Sequence, residues 1–103
     1  GTGGGGTTST NSRVPVNVAP VTLLAANANR VSCFIFNNSP AGAKLYVLAG
    51  AGPPSIGAGT EVWTAIVPNG SYFKTEPSEY SGIVTGIWDG ADAAGEALVS
   101  EVT

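Results

Sequence analysis

The segment Asn29–Gly50 (NRVSCFIFNNSPAGAKLYVLAG) constrains the fold more tightly than any other part of the chain. Val31 to Phe36 places β-branched and aromatic residues at successive positions. That pattern suits a strand with one face on a core and the other against a second layer or a partner. Asn37-Asn-Ser-Pro40 then reads as a stop. Asn and Ser bond to their own local backbone, and Pro40 has no N–H for a ladder. Lys44 to Leu48 reads as the return strand, so β-hairpins are the expected building unit.

The rest of the chain extends this reading. Fifteen Gly, seven Pro, no Met and few Leu, Glu or Lys favour short strands and tight turns over helices. A length of 103 residues accommodates one domain with its own core. Gly1 to Ser12 (GTGGGGTTSTNS) holds too little apolar surface to offset its ordering entropy, so residues 1–13 are expected to be a flexible arm ahead of a folded domain over 14–103. Val14, Val16 and Val18 alternate as in a strand, and Pro15 restricts that strand to a sheet edge. Further strands are expected at Val21–Ala25, Glu61–Val67, Ser71–Thr75, Gly82–Trp88 and Glu96–Val102. Asn69-Gly70 should turn the second of these sharply into the next, as a tight hairpin. The expectation is an all-β, antiparallel sandwich or barrel of seven or eight strands.

The search for chemistry returns little. Without histidine no Ser-His-Asp or Cys-His arrangement can be built, and zinc would depend on carboxylates and one thiol. The Gly-rich start lacks the Gly-Lys-Ser/Thr and the following helix of a phosphate loop. Glu76 with Glu79, and Asp89 with Asp92, are formal carboxylate pairs, but each lies in a turn beside Pro or Gly and reads better as a turn cap. Asp89-x-x-Asp92 lacks the alternating ligands and closing Glu of a calcium loop. Cys33, inside the most apolar strand, reads as a small buried hydrophobe. A net charge of −3 gives no basic footprint for nucleic acid or anionic membrane, and no apolar run approaches a membrane span. Neither enzyme activity nor a cofactor is expected.

The aromatic residues carry two readings. Neighbours on a strand face opposite sides, so Tyr72 and Phe73 cannot both enter one core, and the same reasoning applies to Phe34, Phe36, Tyr46, Trp63 and Trp88. Each taken alone is best read as core. Those left outside could stack on a sugar ring or anchor a protein interface. Arg30, one of only four cationic residues, precedes a strand and is expected to grip a carboxylate or loop carbonyls, with Glu101 and Asp89 as candidate partners.

The order of these pieces resembles small structural proteins of tailed bacteriophages. The resemblance rests on Asn27–Arg30, Asn37–Ser39, Leu45–Val47, Gly50, Pro68–Gly70, Tyr72 and Tyr80–Asp89, and spans roughly residues 21–102. Its signature positions are Asn29, Arg30, Asn37, Tyr80, Gly82, Trp88 and Asp89, which are turn and strand residues rather than catalytic ones. The resemblance implies a virion component, foremost a capsid decoration (cement) protein on the outer surface of the head. Such a protein would dock on the major capsid protein as a homo-oligomer, with a trimer favoured. A neck piece, or a tail-fibre or adhesin module contacting host glycan, is the alternative. Gly3, Thr7, Thr8, Val14 and Val16 are the residues expected to meet the partner.

Overall fold

Alternation along a strand sends successive side chains to opposite faces, and the strand at the centre of the sequence obeys it: Cys33, Ile35 and Asn37 are buried while Phe34 is exposed. The structure, a computed structural model, describes residues 8–77 and 79–103. These residues form eight strands: β1 (Ser9–Pro15), β2 (Val21–Leu24), β3 (Ser32–Asn38), β4 (Leu45–Ala49), β5 (Ala65–Val67), β6 (Tyr72–Lys74), β7 (Val84–Trp88) and β8 (Glu96–Val102). They make two antiparallel four-stranded sheets, ordered β1-β8-β3-β6 and β2-β7-β4-β5, which pack as a β-sandwich. β8 spans the residues expected of it, and β1 is an edge strand that ends at Pro15.

The connectivity differs from the expected hairpins. β3 and β4 lie in different sheets, as do β5 and β6, and only β4 and β5 are both consecutive and paired. The turns themselves are sound. Gly42 (φ 88°) and Gly70 (φ 84°) occupy the left-handed region that the turns need, closed by Gly42 N–H to Ser39 O at 2.8 Å and Ser71 N–H to Pro68 O at 3.0 Å. They carry the chain across the sandwich, where burial of both inner faces decides the pairing, a tertiary effect that local turn chemistry does not encode. Asn37 is likewise not a turn residue: β3 continues through it and Asn38.

Strand boundaries shift as well. The residues 61–67 segment narrows to β5, preceded by an isolated bridge between Ser55 and Val62. Ser9 to Arg13, expected to belong to a flexible arm, are instead part of β1. Ser9 to Arg13 pair with Val102 to Leu98, because β8 offers a free edge whose ladder bonds supply what the polar side chains cannot. Gly1 to Thr7 lie outside the described residues.

The core between the sheets is built from Leu23, Ile35, Leu45, Val47, Val67, Val84, Trp88, Ala97 and Val99. Gly86 on β7 admits two of these, since a Cβ there would lie 2.8 Å from Leu23 Cδ1 and 3.0 Å from Leu45 Cδ1. The fully buried Trp88 indole donates to Asn37 Oδ1 at 3.0 Å. Asn37 Nδ2 in turn donates to Ala43 O (2.8 Å) and Val67 O (2.9 Å). One side chain from β3 thus satisfies an indole N–H and two main-chain carbonyls of the opposite sheet and its approach. Asn37→Ala would leave the indole N–H unpaired in a dry interior and remove one bond from each carbonyl, where an orphaned group costs about 1–3 kcal/mol. We expect Asn37→Ala to lower unfolding free energy by about 3 kcal/mol or more in urea titration; a loss below about 1 kcal/mol would contradict this role.

Candidate interaction surfaces

The signature positions resolve into structural knots. Arg30, its side chain fully buried, places Nε 2.8 Å from Glu101 Oε2 and donates Nη1 to Gly82 O at 2.7 Å and Nη2 to Ala25 O. Glu101 accepts a further bond from Asn27 Nδ2 at 3.3 Å. A planar guanidinium with several donors suits a site where one carboxylate and two carbonyls converge. Glu101 is therefore the partner. Asp89 is not, because its Oδ1 accepts from Lys44 N–H at 2.8 Å and ties the end of β7 to the start of β4. Exposed Asn29 closes the turn before Arg30 by donating its N–H to Asn27 Oδ1 at 3.0 Å. Tyr80 Oη donates to Ile83 O at 2.7 Å, and its ring lies over Gly82, where a Cβ would meet Tyr80 Cζ at 2.6 Å.

The loop carboxylates serve as caps. Asp92 accepts from the Ser39 hydroxyl (2.7 Å), Ala41 N–H (3.0 Å) and Ala94 N–H (3.0 Å), linking the turns after β3 and β7. Glu79 Oε2 accepts from Glu76 N–H at 2.7 Å within one bend. Among the described residues no cluster of three or more His, Cys, Asp or Glu is arranged to hold a metal ion. Cys33 is buried against Thr75, whose hydroxyl accepts from Cys33 N–H at 3.1 Å, and burial pushes its thiol pKa up.

What remains for a partner is the outside of the two sheets. On the β1-β8-β3-β6 sheet, the register sets Arg13, Leu98, Phe36 and Tyr72 in one row, with Asn11, Ser100, Phe34 and Lys74 in the next. Phe34 and Tyr72 pack at 6.1 Å between ring centroids, and Lys74 Nζ sits 6.0 Å from the Phe34 ring. Tyr72 is 62 % exposed, whereas its neighbour Phe73 packs on the core. A shallow groove lined by Asn11, Arg13, Leu98 and Ser100 adjoins this patch. On the β2-β7-β4-β5 sheet, Tyr46 lies between Ile66 and Ile87 across the ladders and meets Trp63 edge to face at 5.7 Å. Ile66, Val62 and Trp63 are exposed there. Contiguous exposed apolar surface of this kind marks contact sites.

The residues expected to meet a partner are distributed differently. Thr8 is exposed and exchanges both backbone bonds with Thr103. Val14 and Val16 are half-buried and pack on the core, since the inner side of an edge strand is the nearest apolar surface to them. Gly3 and Thr7 lie outside the described residues. The two outer patches were legible only as unassigned aromatics, because strand phase alone does not say which face is covered. Comparison with protein-family models, curated proteins and solved structures returned no match to the chain.

Hydrogen bonds from Ser39 and from loop N–H groups hold the Asp92 carboxyl below its ordinary pKa of 3.8. A depressed folded value means that this increment of stability is present above the unfolded value and lost as pH falls through the lower folded one. Acid titration of unfolding should therefore show a steeper loss below pH 3.8 in the native chain than in Asp92→Asn. Parallel acid limbs would contradict the link.

Proposed function

We propose that this chain is a structural protein of a tailed-bacteriophage virion, acting without catalysis as a decoration protein on the outer surface of the capsid. The observation that carries the reading is the pair of aromatic patches on opposite outer faces of one sandwich, exposed Phe34, Tyr72 and Leu98 with half-buried Phe36 on one side and exposed Trp63 and Ile66 with half-buried Tyr46 on the other. A two-faced module can touch two neighbours at once, which is what bridging capsomers requires. The resemblance of residues 21–102 to phage structural proteins supplies the virion context. The major capsid protein is the partner, and a trimer about a local three-fold axis is the oligomer proposed. A net charge of −3 suits a crowded lattice, in which strongly charged copies would repel one another. Each contact exists only in the assembled state, so many modest interfaces add to particle stability by mass action.

The Tyr46–Trp63 pair also favours a second reading, a fibre or adhesin module whose aromatic surface stacks on glycan. Particles stripped of the protein or deleted for it distinguish the two. The decoration reading expects them to lose heat resistance, with labelled protein distributed over the head. Equal survival, with label confined to tail or fibre tips and retention of the protein on a glycan array, would replace it with the adhesin reading.

A further inference from the structure

Each sheet of a sandwich has two edges, and three of the four edge strands here are blunted. β5 and β6 are three residues long, and β2 has four residues with a register shift between Thr22 and Leu24. Short and irregular edges resist pairing with another chain. β1 is unlike them: seven residues long, in unbroken register with β8 from Ser9 to Pro15.

The direction of its free bonds follows from the ladder. Thr8 and Thr103 exchange both backbone bonds (3.2 and 2.9 Å), and Val16 N–H reaches Gly95 O at 3.2 Å. Antiparallel alternation then turns Thr10, Ser12 and Val14 toward β8 and sends the N–H and C=O groups of Ser9, Asn11 and Arg13 off the sheet. No described residue lies beyond β1 in the sheet to accept them. Ser9 to Arg13 are also exposed on both faces, so a second strand can approach without displacing packed side chains.

We infer that the β1 edge is the joint between two copies of this chain, which pair antiparallel about a two-fold axis through Asn11 and merge two four-stranded sheets into one. The sequence favours this register over those shifted toward the C-terminus. Centred on Asn11, each Asn11 exchanges two bonds with its own counterpart and each Ser9 exchanges two with Arg13 of the other copy, so every outward donor among these three is used. The next outward position is Pro15, which has no N–H, and the ladder stops there. Moving the centre to Ser12 would set Ser9 against that Pro. Moving it to Arg13 would oppose two guanidinium groups directly, which is unfavourable. The Asn11 centre keeps Arg13 opposite a hydroxyl. The merged sheet also brings the Phe34, Phe36, Tyr72 and Leu98 patches of both copies onto one continuous outer surface. On a hexagonal lattice, adjacent three-fold positions are related by two-fold axes, so this joint suits the proposed decoration role, although it does not rest on that role.

The test uses the isolated full chain. In a hydrogen-bonded antiparallel pair the facing Cα atoms are about 5.5 Å apart, within disulfide reach. Asn11→Cys, at an exposed position, should give disulfide-linked dimers in oxidised glutathione about tenfold faster than Ser12→Cys, whose counterpart in this register is Thr10. Cys33 is buried and serves as the common background. Comparable rates for the two variants would overturn the register. Hydrogen exchange on the unmodified chain provides the second measurement: the amides of Ser9, Asn11 and Arg13 should gain protection as protein concentration rises. Protection that does not change with concentration would mean that the same chain covers its own edge, and that result would overturn the two-copy joint.

Discussion

The bond from the Trp88 indole to Asn37 is the interaction on which the sandwich depends. A tryptophan fills more of a small core than any other side chain, but its N–H must be met wherever it is buried. Here it is met from the opposite sheet, by an amide whose two remaining donors close the carbonyls of Ala43 and Val67. The apolar core around them, Leu45, Val47, Val67 and Val84, would tolerate small slips of one sheet over the other at modest cost. The Asn37 amide does not tolerate them, because a slip breaks three buried hydrogen bonds at once. The node therefore sets the stacking of the sheets, while apolar burial supplies most of the drive to stack.

Arg30 fixes the far end in the same way. Its guanidinium holds Glu101 of β8, Gly82 before β7 and Ala25 after β2, so segments of both sheets converge on one rigid fork. Replacing such a group with an apolar one of equal volume often costs little in other proteins, whereas removing one partner alone is severe. What the fork adds is placement of loops with almost no apolar side chains to position them. Asp92 does this at the opposite end with Ser39 and two main-chain N–H groups. A few polar side chains thus pin the apolar interior and the loop ends, while Phe34, Tyr72 and Trp63 are left on the outer faces.

That distribution explains what the sequence revealed. The all-β class, the edge position of Pro15, the split of Tyr72 from Phe73 and the grip of Arg30 on a carboxylate, with Glu101 as one of two candidates, were all legible, because each follows from strand alternation, a missing N–H or the scarcity of charge. The hairpins were not. Asn69-Gly70 and the Asn37–Pro40 stretch carry turn chemistry, but a turn reverses direction without naming the strand that receives the chain. In this fold almost every connection crosses between sheets. Asn37 misled for a related reason. An Asn before Ser-Pro is ordinarily a local cap, and only a tryptophan fifty-one positions away turns it into a core residue. The outer patches were hidden by the same logic, since alternation sorts side chains into two sets without saying which sheet covers which set.

The placement of apolar residues on both sides of both sheets has a consequence for how such a domain can work. A sandwich needs only its inner faces to fold, so Phe34, Tyr72, Trp63 and Ile66 are surplus to the core. Left exposed, such residues favour unspecific association unless the geometry around them restricts which contacts form. Here the restriction comes from the edges. Three are too short or too irregular to recruit another strand, and the fourth is long and polar, so main-chain hydrogen bonding can set orientation and register before apolar surface is committed. In the proposed joint, alignment along the β1 edge comes before contact between the aromatic outer faces.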